Sequence, residues 1–282
     1  MRPSKVPVWL GPAIALLIAG AAAACDGSGG PRARVSEVYP SADVLPENLL
    51  RFYVYFTRPM ARGDVSAAVE LRDQDGRPLP GVFLSNRYEL WSPDDRRLTL
   101  ILDPGRVKTG LESHRRLGRA LEADRRYVLT VGRGALDADG CPLAEPFEKA
   151  FTATAEDLSP PEPGRWRLDV PAAGGKRALA VELDGPHDHL SLAYRLRVLD
   201  EGGAVVPGSI ELAGRESRWR FTPVDPWRAA DYRLVVGAAL EDLAGNRPGR
   251  RFDLAPSAGG ERPALRPSPS LEIPFEIPPT PH

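Results

Sequence analysis

Tyr127-Val-Leu-Thr-Val-Gly-Arg-Gly-Ala-Leu-Asp-Ala-Asp-Gly-Cys141 returns 105 positions later as Tyr232-Arg-Leu-Val-Val-Gly-Ala-Ala-Leu-Glu-Asp-Leu-Ala-Gly-Asn246. Tyr127 matches Tyr232, Val131 matches Val236, Gly132 matches Gly237, Asp137 matches Asp242 and Gly140 matches Gly245. Each copy reads as a strand that begins at a Tyr and ends in a Gly/Asp turn. A repeat held at one offset makes the chain two copies of one all-β module.

Composition supports that reading. The 282 residues allow two ordinary domains, and 42% hydrophobic residues are enough for packed cores. Thirty Pro spread among short apolar runs punctuate strands and loops and argue against long helices. The formal charge of −1 gives no bulk electrostatic basis for nucleic-acid binding. Lys occurs only at 5, 108, 149 and 176, so Arg-rich strand faces read as base-composition bias and solvated surface.

Arg2 and Lys5 precede an apolar run from Trp9 to Ala24, which reads as a secretory signal over residues 1–24. Ala22-Ala23-Ala24-Cys25 resembles the lipobox of bacterial lipoproteins, with Ala22 where Leu is usual. The resemblance implies cleavage before Cys25 and a lipid on its thiol; ordinary signal cleavage at the Ala run is the alternative. Residues 25–33 then form a flexible tether, and loss of residues 1–24 takes the formal charge to −3. A lipidated Cys25 would leave Cys141 as a single thiol, and no intramolecular disulfide could form.

The first module spans residues 34–157. Phe52, Val54 and Phe56 share one face of a strand that leads into Thr57-Arg58-Pro59-Met60. With the Asp242-Leu-Ala-Gly-Asn246 turn, this resembles the bacterial Ig-like domain familiar from S-layer proteins, where a strand ends in Phe-Ser/Thr-x-Pro-Met and a later one in Asp-x-x-Gly-Asn. Asp137-Ala-Asp-Gly-Cys141 fits apart from Cys for Asn. The resemblance implies tandem Ig-like Greek-key sandwiches over about residues 35–255. Asp73 and Asp75 read as a hairpin turn rather than a calcium loop, and Tyr127 as a tyrosine corner.

Residues 158–163 form a Pro-rich linker, and the second module spans 164–256. Trp166, Trp219 and Trp227 read as core. Residues 257–282 read as a disordered Pro-rich tail, with an edge strand at Leu271-Glu-Ile-Pro-Phe-Glu-Ile277 as the alternative. The first module is longer near residues 85–97 and 105–125. The second insertion holds the densest basic cluster in the chain: Arg106, Lys108, His114, Arg115, Arg116 and Arg119. Thr109-x-x-Glu112, Leu117 and Leu121 suggest a short helix there.

No phosphate loop, Gly-x-Ser-x-Gly elbow or His-Glu-x-x-His motif occurs, and no cofactor is implied. His187 and His189 are a candidate metal pair if they share one face of an extended segment. The function expected is a non-enzymatic envelope lipoprotein, anchored to a membrane through Cys25, that spaces, scaffolds or binds. Its partner would be an acidic protein or glycan docked on the basic cluster. The alternatives are an enzyme accessory or hydrolase with a site in the first-module insertion, and a periplasmic metal carrier using His187 and His189.

Overall fold

A computed structural model describes residue 25 and residues 30–63, 65–84, 89–107, 118–252 and 270–279. The first module contributes β1 (Val35–Tyr39), β2 (Val44–Pro46), β3 (Arg51–Phe56), β4 (Val69–Asp73), β5 (Leu90–Trp91), β6 (Arg97–Ile101), β7 (Arg126–Val131) and β8 (Phe147–Thr154). One sheet runs β1-β3-β6-β5 and the other β2-β8-β7-β4, with β2 parallel to β8. The second module contributes β9 (Arg167–Asp169), β10 (Leu179–Glu182), β11 (Leu196–Leu199), β12 (Gly208–Ala213), β13 (Arg218–Pro223), β14 (Ala230–Val236) and β15 (Leu271–Ile277). Its sheets run β12-β13-β10-β9 and β11-β14-β15.

Lettered A to G along the chain, the second module sets D-E-B-A against C-F-G. That is the seven-strand immunoglobulin order. The first module keeps the plan and adds β2 beside its last strand. Both modules are Ig-like sandwiches.

The repeated stretch builds the same corner twice. Tyr127 and Tyr232 are buried at the start of β7 and β14. The Tyr127 hydroxyl accepts from the Glu122 amide at 2.9 Å, and that of Tyr232 from the Arg228 amide at 3.3 Å. Both are tyrosine corners. Gly132 donates its N–H to Ala68 O at 2.8 Å, and Gly237 to Arg195 O at 2.7 Å. A Cβ at Gly237 would lie 3.1 Å from that oxygen, so glycine allows this approach without a shift of Arg195. In each turn the aspartate folds the chain over itself. Asp137 Oδ1 accepts from the Asp139 and Cys141 amides, and Asp242 Oδ1 from those of Ala244 and Asn246.

Met60 bridges to Asp137 in the first module, and His187 bridges to Asp242 in the second. The Pro-Met turn and the Gly-Asn turn therefore pack against each other, with His187 in the place of Met60. Asp73 Oδ1 accepts from the amides of Asp75 and Arg77, so this pair closes a hairpin. Trp166, Trp219 and Trp227 are core residues of the second module.

The C-terminal stretch corrects the expectation of a disordered tail. Leu271–Ile277 pairs antiparallel with β14 along its whole length and supplies the seventh strand. Phe275 and Ile277 are buried, and Ile273 packs against the same core. Burying a side chain of that size is worth about 1.5–3 kcal/mol, enough to order a strand in Pro-rich surroundings. Pro274 is tolerated because β15 is an edge strand. The second module thus extends past residue 256 to this strand.

Candidate functional site at the joint between the modules

Among the described residues a group of buried and half-buried polar side chains converges between the sandwiches. On the first-module side stands β3. Phe52, Val54 and Phe56 fill the inner face as expected, but Tyr53, on the outer face, is also only 2% exposed. Its hydroxyl donates to Asp188 Oδ2 at 2.8 Å. Beside it, Arg51 pairs with Glu241 and reaches Asp188 at 3.6 Å. Burial pushes the Tyr53 hydroxyl upward, reinforced by the Asp188 charge, so it stays protonated and donates.

Asp188 belongs to the second module and serves both. It caps helix α2 (His189–Arg195; α1 is Pro104–Val107) by accepting from the Ser191 amide at 2.9 Å. Burial raises its pKa, opposed by Arg51, the cap bond and Tyr53. His189 stacks on Tyr39 with ring centroids 3.7 Å apart, and its Nε2 lies 3.1 Å from the Tyr55 hydroxyl. Burial lowers the His189 pKa to about 4.

Two further contacts close the joint. Gly214, Arg215 and Glu216 are three successive left-handed residues between β12 and β13. That backbone is costly for Arg and Glu. It carries Glu216 to Ser41, whose amide and hydroxyl donate to it at 2.8 and 2.6 Å. The repeated turn supplies the other contact. Leu50 donates its N–H to Leu243 O at 3.1 Å, and Leu243 sits in the core of the first module. Asn246 Nδ2 donates to Asp157 O at 3.0 Å, an oxygen that also accepts from Asn48.

A cavity of about 870 Å³ opens beside this turn, lined in part by Asp157, Glu162, Asp184, His187 and Asp242. Burial pushes the Asp242 carboxyl up to about 7, against hydrogen bonds from Asn246 that favour the charged form. His187 Nδ1 donates to Gly185 O at 2.9 Å, and burial lowers its pKa.

The two histidines do not form a metal pair. His187 packs edge-on against Trp166, whereas His189 stacks on Tyr39 in the joint. Asp188 is still extended but caps α2, so His189 already lies in the helix and the two rings go to different surroundings. Among the described residues no group of three His, Cys, Asp or Glu side chains could hold a metal ion.

Of the basic cluster, Lys108, His114, Arg115 and Arg116 lie outside the described residues, as does most of the expected helix. Gly118 is left-handed, with φ +71°, and no helix runs through it. Arg106 is committed within the module: it donates to the carbonyls of Pro80, Gly81, Gly118 and Arg119. Arg119, 17% exposed at its side chain, bridges Glu47 at 3.3 Å and Glu156. These two are engaged within the module by the residues that flank the insertion and are withdrawn from a docking face. Leu121 is buried in the core.

Cys25 Sγ is bonded to Cys141 Sγ. Lipid and disulfide exclude each other, since both use that one sulfur. Sequence reasoning passed over Tyr53, Asp188, Glu216 and Glu241. A signal existed for Tyr53: Phe52-Tyr-Val-Tyr-Phe56 has no polar face, as expected of a strand covered on both sides.

No family model and no curated protein matches the sequence. Solved structures resemble it at low identity. Native alpha-2-macroglobulin from Escherichia coli, spanning domains MG0-NIE-MG1, is 14% identical over 89% of this chain and 73% of that one, with TM-score 0.28. The S-layer protein rSbsC(31-844) is 12% identical over 73% of this chain, with TM-score 0.29; this chain spans 24% of its length. The N-terminal Ig1-2 module of the Drosophila receptor protein tyrosine phosphatase DLAR is 12% identical over 74% of this chain and 93% of that one, with TM-score 0.25. The Ig-like assignment rests on the strand order of this chain itself.

Proposed function

We propose that this chain is an exported, non-enzymatic envelope protein whose two sandwiches act as one stiff spacer. It presents a binding surface for a protein or glycan partner on one rigid body. The joint carries this reading. A flexible tandem needs no buried contacts between modules, whereas here Tyr53–Asp188, Ser41–Glu216 and Leu50–Leu243 lock one module on the other. Spin labels at Asp75 and Glu201, both exposed, test it. One narrow distance distribution is expected, and a broad one would show a loose hinge and overturn the spacer.

Attachment in this reading is through lipid on Cys25, and the Cys25–Cys141 bond is the state of chains that escape lipidation. Detergent-phase protein should then show one free thiol, at Cys141, and aqueous-phase protein none before reduction. Membrane-bound protein with an unlipidated Cys25 would refute the anchor. Docking of an acidic partner falls to Lys108, His114, Arg115 and Arg116. Arg115→Ala with Arg116→Ala should weaken partner capture from envelope extracts, more so at low salt. Unchanged capture would remove the docking role.

A further inference from the structure

Exposed strand edges offer unpaired N–H and C=O groups, and folded proteins guard them. Among the described residues seven of the eight sheet edges here are guarded. Strands β2, β5 and β9 have three, two and three residues. The register of β1 is broken between Val35 and Glu37. The edges of β4 and β11 are covered by their own returning chain, through the bridges Arg72–Pro78 and Leu199–Val205. Strand β15 carries Pro274 at its centre. The eighth edge, β12, has six residues in unbroken register with β13, and no Pro, Lys or bulge. Its first four residues are exposed, and Ile210 is 38% exposed.

The register shows which backbone groups are free. Val224 N donates to Pro207 O, and Gly208 stands opposite Pro223, which has no N–H to give. In an antiparallel ladder, bonded and non-bonded pairs alternate. Ser209, Glu211 and Ala213 therefore spend their groups on β13, while Gly208, Ile210 and Leu212 turn theirs to the free edge.

We propose that this edge pairs with the same edge of a second copy of this chain, antiparallel and centred on Ile210. In that register Ile210 faces Ile210 of the second copy, and Gly208 faces Leu212, so all the free groups meet in about six hydrogen bonds. Glu211 falls opposite Ser209, which can donate to it. The next register that keeps the bonding pattern places Glu211 against Glu211, and like charges directly opposite are unfavourable. The shift the other way sets Leu212 against Val206, whose N–H already donates to Val198 O, so charge and bond count together select the first register. The paired Ile210 side chains cover each other, and the two four-stranded sheets become one of eight.

The test uses the full chain in sedimentation equilibrium and a cysteine scan of the edge. Dimer is expected, dissociating on dilution, and Ile210→Lys should weaken it at least tenfold with an unchanged circular dichroism spectrum. Facing bonded residues have Cα atoms about 5.5 Å apart, within disulfide range. Ile210→Cys should therefore cross-link copies under mild oxidation, and Glu211→Cys should not. Monomer at all concentrations would overturn the proposal. So would a dimer indifferent to Ile210→Lys, equal cross-linking by both cysteine variants, or an edge occupied by another protein's strand. Should Ile210→Lys fail to fold, the cysteine pair still decides.

Discussion

Gly140 and Gly245 hold the same place in the two turns, with φ of +78° and +80°. A Cβ at Gly140 would meet nothing within 4 Å, whereas one at Gly245 would sit 2.2 Å from Leu50 Cδ1. Gly140→Ala should cost about 1–2 kcal/mol from backbone strain alone. Gly245→Ala should cost about 1–3 kcal/mol more from overpacking, and paired urea titrations would show the gap. Tyr53→Phe should cost about 1–3 kcal/mol, since it takes a donor from buried Asp188. His189 adds a pH dependence. Its folded pKa of about 4 lies below the ordinary 6.5, so only the unfolded chain takes up a proton between these values. This contribution is full above pH 6.5 and lost as pH falls toward 4. His189→Gln should flatten the fall of the melting temperature over that range. Both turn glycines were legible from the repeat, but their unequal surroundings were not, because Leu50 comes from the other module.

The elements divide in the same way. Strands with a clean alternation, such as β4, β6 and β7, were legible as strands, since one face meets a core and the other water. The strand at Leu271–Ile277 alternates as well, but the prolines around it pointed to disorder. Alternation outweighed them because β14 offered an open edge and a half-covered core. A chain ending at residue 256 should therefore lose the second module: the near-ultraviolet dichroism of Trp219 and Trp227 should collapse, while a chain ending at 279 keeps it. The basic insertion was legible as extra length but not in its allegiance. Whether an Arg faces a partner or is engaged within its own module depends on where Glu47 and Glu156 fall, and sequence spacing does not say.

At the scale of the whole molecule, the repeat describes what the two modules share and is silent on how they meet. Separate folding of the modules is the simple expectation from the Pro-rich linker. Leu243 in the first core and Asp188 beneath Tyr53 give each module a stake in the other. Calorimetry of the full chain should show one unfolding transition, and residues 34–157 alone should melt lower than they do in it. Two independent transitions would show that the joint contributes little. The Cys25–Cys141 bond has a mechanical consequence. It joins residues 116 apart in sequence at a Cα separation of 5.6 Å. A load applied at residue 25 of the disulfide-bonded chain enters at the turn between β7 and β8 and bypasses everything from β1 to β7. At ~3.4 Å per residue the enclosed segment would otherwise pay out roughly 400 Å of slack. The crosslink keeps β1 to β7 out of the load path, and tension falls on β8 and the second module.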